Sequence, residues 1–166
     1  MKIIIAGCGK VGQSLAERLA NTGPEVTVID KRYESITSVT NTIDVMGYQG
    51  DCTSIYCQKE AGIKDADLLI AVTDNDEINM LACLIAKKTG SCHTIARIRS
   101  PQYTDEIGYL KEVLGLSMSI HPEMVAADEM VRHIQIPSAL EVDTFAKGKI
   151  SLIGIKIPEN SILDNL

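Results

Sequence analysis

Residues 3–30 read "IIIAGCGKVGQSLAERLANTGPEVTVID". An apolar run leads into three glycines at the spacing G-x-G-x-x-G, a helical pattern follows, and a second apolar run ends in an aspartate. Each glycine answers a backbone requirement. Gly7 permits the tight turn that leaves the first strand, Gly9 lets the main chain approach a pyrophosphate, and Gly12 lets the following helix lie close against the sheet. Phosphates would then meet the free N–H groups and the positive dipole end of a helix over 11–21. Six residues of this kind recur by chance, but a preceding strand, a following helix and an acid 18 residues after Gly12 give them a dinucleotide-binding context.

Asp30 sorts the ligands. Its carboxylate can accept from both hydroxyls of an adenosine ribose and would repel a 2′-phosphate, although Lys31 and Arg32 follow directly. NADP is therefore disfavoured. NAD(H) stands first among the candidates, with ATP, ADP and AMP as alternatives, since all present a free ribose. Asp30 could instead cap a helix over 32–41.

Strand-like runs at 2–6, 25–29, 45–49, 67–72, 93–98 and 117–120 alternate with helical patterns near 11–21, 32–41, 53–61, 75–89 and 102–110. In the first helix Val11, Leu15 and Leu19 share one face. Thr73 and Asp74, each with an acid three residues on, read as N-caps of the helix over 75–89. This order predicts an α/β fold with a doubly wound, parallel six-stranded sheet of Rossmann type over residues 1–121. A helix over 122–137 comes next. The tail, residues 138–166, alternates like strands through Ile153, Ile155 and Ile157. It is too short to bury a core of its own, so the chain is expected to stop inside a second domain.

Composition narrows the function. A net charge of −6 argues against nucleic-acid binding, and no apolar run reaches the ~20 residues needed to cross a bilayer. Five cysteines lack C-x-x-C spacing, and the histidines show no partner spacing. No metal site and no catalytic residue are predicted; the cysteines are expected to be reduced and packed as small hydrophobes.

Ligands of a doubly wound sheet lie outside the carboxyl ends of its strands. That rule selects Gly50, Asp51 and Cys52 after the third strand, Thr73 and Asp74 after the fourth, and Arg97 and Arg99 at the fifth. Asp51 and Asp74 could equally cap helices, and Lys10, in the glycine loop, could lie at phosphates or in solvent. The helix over 75–89 carries Ile78, Leu81, Ala82 and Ile85 on one side and Met80, Cys83 and Leu84 on the other. A second apolar stripe predicts a covering subunit, or else the tail folded back over it.

The stretches "KIIIAGCGKVGQSLAERL", "VTVID", "GDCTSIYCQKEAGIKDADLLIAVTDNDEIN", "ARIRSPQY" and "HPE" together resemble the TrkA-type regulatory subunits of potassium uptake systems, whose nucleotide-binding domain is called KTN or RCK. The resemblance implies a cytoplasmic ligand-sensing module that forms dimers, assembles further into a ring and acts on a membrane-embedded potassium-translocating subunit. It implies nucleotide contacts from Gly7, Cys8, Gly9, Lys10, Val11, Gly12, Asp30, Lys31, Asp51, Cys52, Thr73, Asp74 and Arg97. Lys10 stands where some members carry arginine, and Glu123 matches a glutamate that serves a metal-assisted site in some members. The helix over 122–135 and the tail match a crossover helix and the start of a small C-terminal domain. The competing expectation from fold alone is an NAD-dependent oxidoreductase.

Overall fold

The computed structural model describes residues 1–103, 105–137, 139–145 and 149–157. Two compact units divide the chain, Met1–His121 and Pro122–Leu166. The first contains β1 (Lys2–Ala6), α1 (Lys10–Ala20), β2 (Glu25–Asp30), α2 (Tyr33–Thr40), β3 (Met46–Gln49), α3 (Ile55–Glu60), β4 (Leu68–Ala71), α4 (Asp76–Thr89), β5 (His93–Arg97), α5 (Ile107–Leu114) and β6 (Met118–Ile120). The strands form one sheet in the order β3-β2-β1-β4-β5-β6, and every neighbouring pair is parallel. This is the predicted doubly wound sheet, with its order reversing between β1 and β4.

The period of two in β1 builds both layers of the core. Ile3 and Ile5 face the layer that holds Ala16, Val26, Val28, Ile36 and Val39, with Val11, Leu15 and Leu19 of α1 packed against it. Ile4 and Ala6 face the opposite layer, with Leu69, Ala82, Cys83, Ala86 and Ala96. Each fully buried isoleucine contributes about 1.5–3 kcal/mol relative to exposure. Buried on both faces, the central strands need no alternation of polar residues.

Three expectations are corrected here. The helix placed over 102–110 is a short 3-10 turn at Pro101–Tyr103, and α5 starts only at Ile107. Ile107, Leu110 and Leu114, spaced i, i+3, i+7, pack on the core, and Gly115 at φ +66 ends the helix in a left-handed turn. The N-cap of α4 is neither Thr73 nor Asp74 but Asn75, whose side chain accepts from the Ile78 amide at 2.7 Å. The two stripes of α4 are also divided differently, with Ala82 of the first buried beside residues of the second. Met80 (8% exposed) and Cys83 (0%) are buried in the chain's own core, whereas Leu81 is 45% exposed. The helix is turned so that Leu81 and the partly exposed Ile85 lie on its outer side, while Ile78 packs against the core and lines a cleft.

The second unit consists of α6 (Pro122–Gln135) and an antiparallel hairpin of β7 (Ala139–Phe145) and β8 (Ile150–Ile155), with a register shift between Ala139 and Glu141. Pro122 sits at the start of α6, where its missing N–H would have had no helical partner. Val142 is the buried residue of the hairpin, and β8 is exposed along its length.

Candidate functional site

A cleft of about 640 Å³ opens above the carboxyl ends of the strands where their order reverses. The glycine loop forms its floor. Gly7 has φ +107, and a Cβ there would meet the Thr73 amide nitrogen at 2.9 Å. A Cβ on Gly12 would lie 1.8 Å from the Gly7 carbonyl oxygen, so only glycine lets α1 sit this close. Gly9 differs from both. Its Cβ position has nothing within 4 Å, leaving the main chain open on the cleft side. Gly9 is the N-cap of α1 and no acid stands in the first turn, so the helix end keeps its positive field.

Asp30 ends β2 with its side chain 11% exposed. Oδ2 accepts from the Cys8 amide at 2.8 Å, and Oδ1 accepts from the Arg32 amide at 2.9 Å. The Arg32 guanidinium lies 3.5 Å from Oδ1. A carboxylate offers about four acceptor sites; Oδ2 keeps one beside the Cys8 amide, whereas Oδ1 already has a second donor, the exposed Arg32 Nε at 3.5 Å. The spare site on Oδ2, and the one on Oδ1 that a ribose hydroxyl would take over from Arg32, suit a vicinal diol. The alternative role, capping α2, reduces to this one turn bond: α2 begins at Tyr33 with Arg32 as its uncapped N-cap.

Lys31 Nζ lies 3.1 Å from Asp51 Oδ2, across from the loop after β3. The other Asp51 oxygen accepts from the Thr53 amide at 2.8 Å and hydroxyl at 2.7 Å. Those two bonds, hydroxyl first, hold the Asp51 carboxyl below its ordinary range, with help from Lys31. Asp51 therefore shapes a turn and does not cap α3, whose cap is Ser54. Asp74 likewise caps nothing; its carbonyl accepts from the Arg99 guanidinium.

Of the residues singled out in the sequence, Gly7, Gly9, Lys10, Val11, Asp30, Lys31, Gly50, Cys52, Thr73, Asp74 and Arg97 line the cleft together. Cys8, Gly12, Asp51 and Arg99 do not. Cys8 is buried in the core below the loop and presents its amide to Asp30; Gly12 and Asp51 act through the backbone fit and the Lys31 pair just described. Ile29, Arg32, Val72 and Ile78 complete the lining. Ile29 and Val72 are the apolar neighbours of strand ends, a signal the strand pattern already carried, whereas Ile78 comes from α4.

All five cysteines are free. Burial pushes the Cys8 thiol up to about 12, with the Asp30 charge adding to it, and the Cys52 and Cys83 thiols to about 11 and about 12. Among the described residues no group of three or more His, Cys, Asp or Glu is placed to hold a metal ion, and no helix is long and apolar enough to cross a membrane. Glu123 stands in the first turn of α6, in the second unit.

Residues 3–122 match the model of the TrkA-N domain. The chain belongs to the TrkA-N family. It is 38% identical over 167 residues to a Trk system potassium uptake protein TrkA homolog of Archaeoglobus fulgidus, covering 99% of this chain and 37% of that protein. With the Trk system potassium uptake protein TrkA of Vibrio alginolyticus it shares 39% over 163 residues, 94% of this chain and 35% of the relative. The chain thus spans about a third of these curated relatives. Solved structures show the same fold. The TrkA-N domain of the inner membrane protein ybaL from Escherichia coli superposes with a TM-score of 0.70 at 22% identity, over 79% of this chain and 94% of that one. The AMP-bound Kef C-terminal domain of Shewanella denitrificans gives 0.69 at 20%, covering 84% of each. A GsuK channel bound to NAD gives 0.62 at 18%, over 72% of this chain and 21% of that chain.

Proposed function

We propose that this TrkA-N chain is the nucleotide-sensing part of a regulator of potassium uptake. It binds NAD(H), or else ATP, ADP or AMP, and changes the state of a membrane-embedded potassium-translocating partner without consuming the nucleotide. The observation that carries this reading is the Asp30 carboxylate, held at the mouth of the cleft by the Cys8 and Arg32 amides, with acceptor capacity left on Oδ2 and a long bond from the exposed Arg32 side chain to displace on Oδ1.

The diphosphate follows the glycine loop over Gly7, Gly9 and the first turn of α1, near Lys10 and Val11, while Gly12 keeps that turn close. Adenosine lies toward Asp30, Lys31, Asp51 and Cys52, and the rest of the ligand extends toward Thr73, Asp74 and Arg97. The AMP and NAD in two structures of the same fold support an adenine nucleotide here, and the potassium uptake proteins among the relatives support the pathway. The outer apolar residues of α4, Leu81 and Ile85, support a homodimer as the unit that assembles at the cytoplasmic face of the membrane.

Calorimetric titration of NAD⁺, NADH, AMP, ADP and ATP, followed by chromatography of the recovered ligand, tests this directly. Saturable binding with the nucleotide recovered intact is expected. Steady oxidation of NADH with a small co-substrate would instead reveal an oxidoreductase.

A further inference from the structure

The first turn of α4 carries two polar side chains withdrawn from water, Asn79 at 0% and Asp76 at 7% exposure. Neither lines the cleft. Burial of an amide or a carboxylate is unfavourable unless its hydrogen-bonding capacity is met. Asn79 meets its capacity in full. Oδ1 accepts from the Thr73 amide at 2.8 Å and the Thr73 hydroxyl at 2.7 Å, and Nδ2 donates to the carbonyls of Arg97 at 2.9 Å and Thr73 at 3.3 Å. Asp76 Oδ2, on the same helical turn, accepts from the amides of Arg99 at 2.8 Å and Ser100 at 2.7 Å.

These bonds tie three pieces of backbone to one helical turn: the end of β4, the end of β5 and the segment after β5. Packing alone asks for none of them, since an apolar side chain at position 79 would fill the same volume. The residues held this way, Thr73 and Arg97, belong to the β4–β5 wall of the cleft, beside Val72, Asp74 and Ile78. In a fold of two mononucleotide-binding halves, the adenosine half lies on the β1–β3 side and the remainder of a dinucleotide lies over β4 and β5.

We infer that Asn79, supported by Asp76, is the positioning residue that sets the β4–β5 wall, and so fixes affinity for the part of the ligand beyond adenosine monophosphate. This rests on the nucleotide-binding reading above and adds to it the residues that separate a dinucleotide from AMP. Asn79 touches no ligand; it acts through Thr73 and Arg97.

Titration of AMP and NAD⁺ by calorimetry into the wild type, Asn79→Ser, Asp76→Asn, Arg97→Met and the Asn79→Ser/Arg97→Met double variant tests it. Removing the amide that makes these four bonds should weaken NAD⁺ about fivefold or more in Asn79→Ser while AMP changes less than about twofold. Asp76→Asn keeps one acceptor and should move the NAD⁺ to AMP ratio the same way by a smaller factor. In the Arg97→Met background Asn79→Ser should change that ratio less than it does in the wild type. Thermal melts report the fold of each variant; should Asn79→Ser fail to fold, Asp76→Asn decides. Equal weakening of both ligands, the result of a merely structural role, overturns the inference, as does an unchanged ratio. A wild-type chain that binds neither ligand overturns the nucleotide reading and this inference with it.

Discussion

The Cys8 amide donates to Asp30 Oδ2 at 2.8 Å across 22 residues of chain, joining the glycine loop to the end of β2. The group that would recognise the ribose thus also braces the loop that would hold the diphosphate. Asp30→Ala removes both functions at once. A hydrogen bond to a charged acceptor is worth about 1.5–3 kcal/mol, and ~1.4 kcal/mol is tenfold in affinity. The variant should weaken every adenine nucleotide by at least about tenfold while retaining the wild-type far-ultraviolet dichroism. Unchanged affinity would place the ribose elsewhere.

Gly9 and Gly12 should fail in different ways. Nothing lies within 4 Å of a Cβ on Gly9, and its φ of −72 suits any residue. Gly9→Val should therefore fold, losing about 1 kcal/mol or less as a poorer N-cap, and lose nucleotide binding because the branched side chain stands in the cleft. Gly12→Val drives its side chain into the Gly7 carbonyl and should lose the fold itself. Thermal melts paired with titration separate the two outcomes.

The stripe on α4 makes the oligomer testable. Leu81→Glu with Ile85→Glu should shift a dimer toward monomer in sedimentation velocity without lowering the stability of the fold by more than about 1 kcal/mol. Met80→Glu places a charge among buried neighbours and should unfold the domain instead. A wild-type chain that sediments as a monomer at micromolar concentration with nucleotide bound would contradict the dimer.

Thiol ionisation gives a signed pH effect. The folded-state values of Cys8, Cys52 and Cys83 are raised from an ordinary 9.0 to about 12, about 11 and about 12, chiefly by burial. Neutral thiols favour the folded state, so their stabilisation is complete below pH 9, where both states hold the proton. It is lost as pH rises from there toward the folded-state values, because the unfolded chain releases its protons first. Denaturant melts should show stability falling above pH 9, and Cys8→Ala with Cys83→Ala should flatten that fall. At neutral pH a thiol-specific dye should label these three slowly in the native protein and all five cysteines after unfolding. Fast native labelling of Cys8 would contradict their burial.

What the sequence made legible was local in origin. Gly7 and Gly12 are forced by a turn and a close approach within six residues, and Asp30 closes an apolar run whose period is plain. The alternating core of β1 is likewise a near-neighbour pattern. Asn79 and Asp76 escaped notice because acids and amides at the start of a helix look like caps, and the partners at the β5 end lie 18 to 24 residues away. The facing of α4 failed for a related reason. Both of its sides are apolar, and only the tertiary packing of Met80 and Cys83 decides which one turns inward. Asp51 was ambiguous between cap and ligand because its Thr53 turn and its Lys31 pair come from different loops.

The central claim is that the cleft senses a nucleotide through Asp30, and one measurement bears on it most directly: calorimetric titration of NAD⁺, NADH, AMP, ADP and ATP into the wild-type chain and into Asp30→Ala side by side. The account predicts saturable binding of at least one of these to the wild type, weakened about tenfold or more by the substitution, with the nucleotide recovered unchanged. No heat from any of the five with the wild-type chain, or equal affinity in the two proteins, would contradict it.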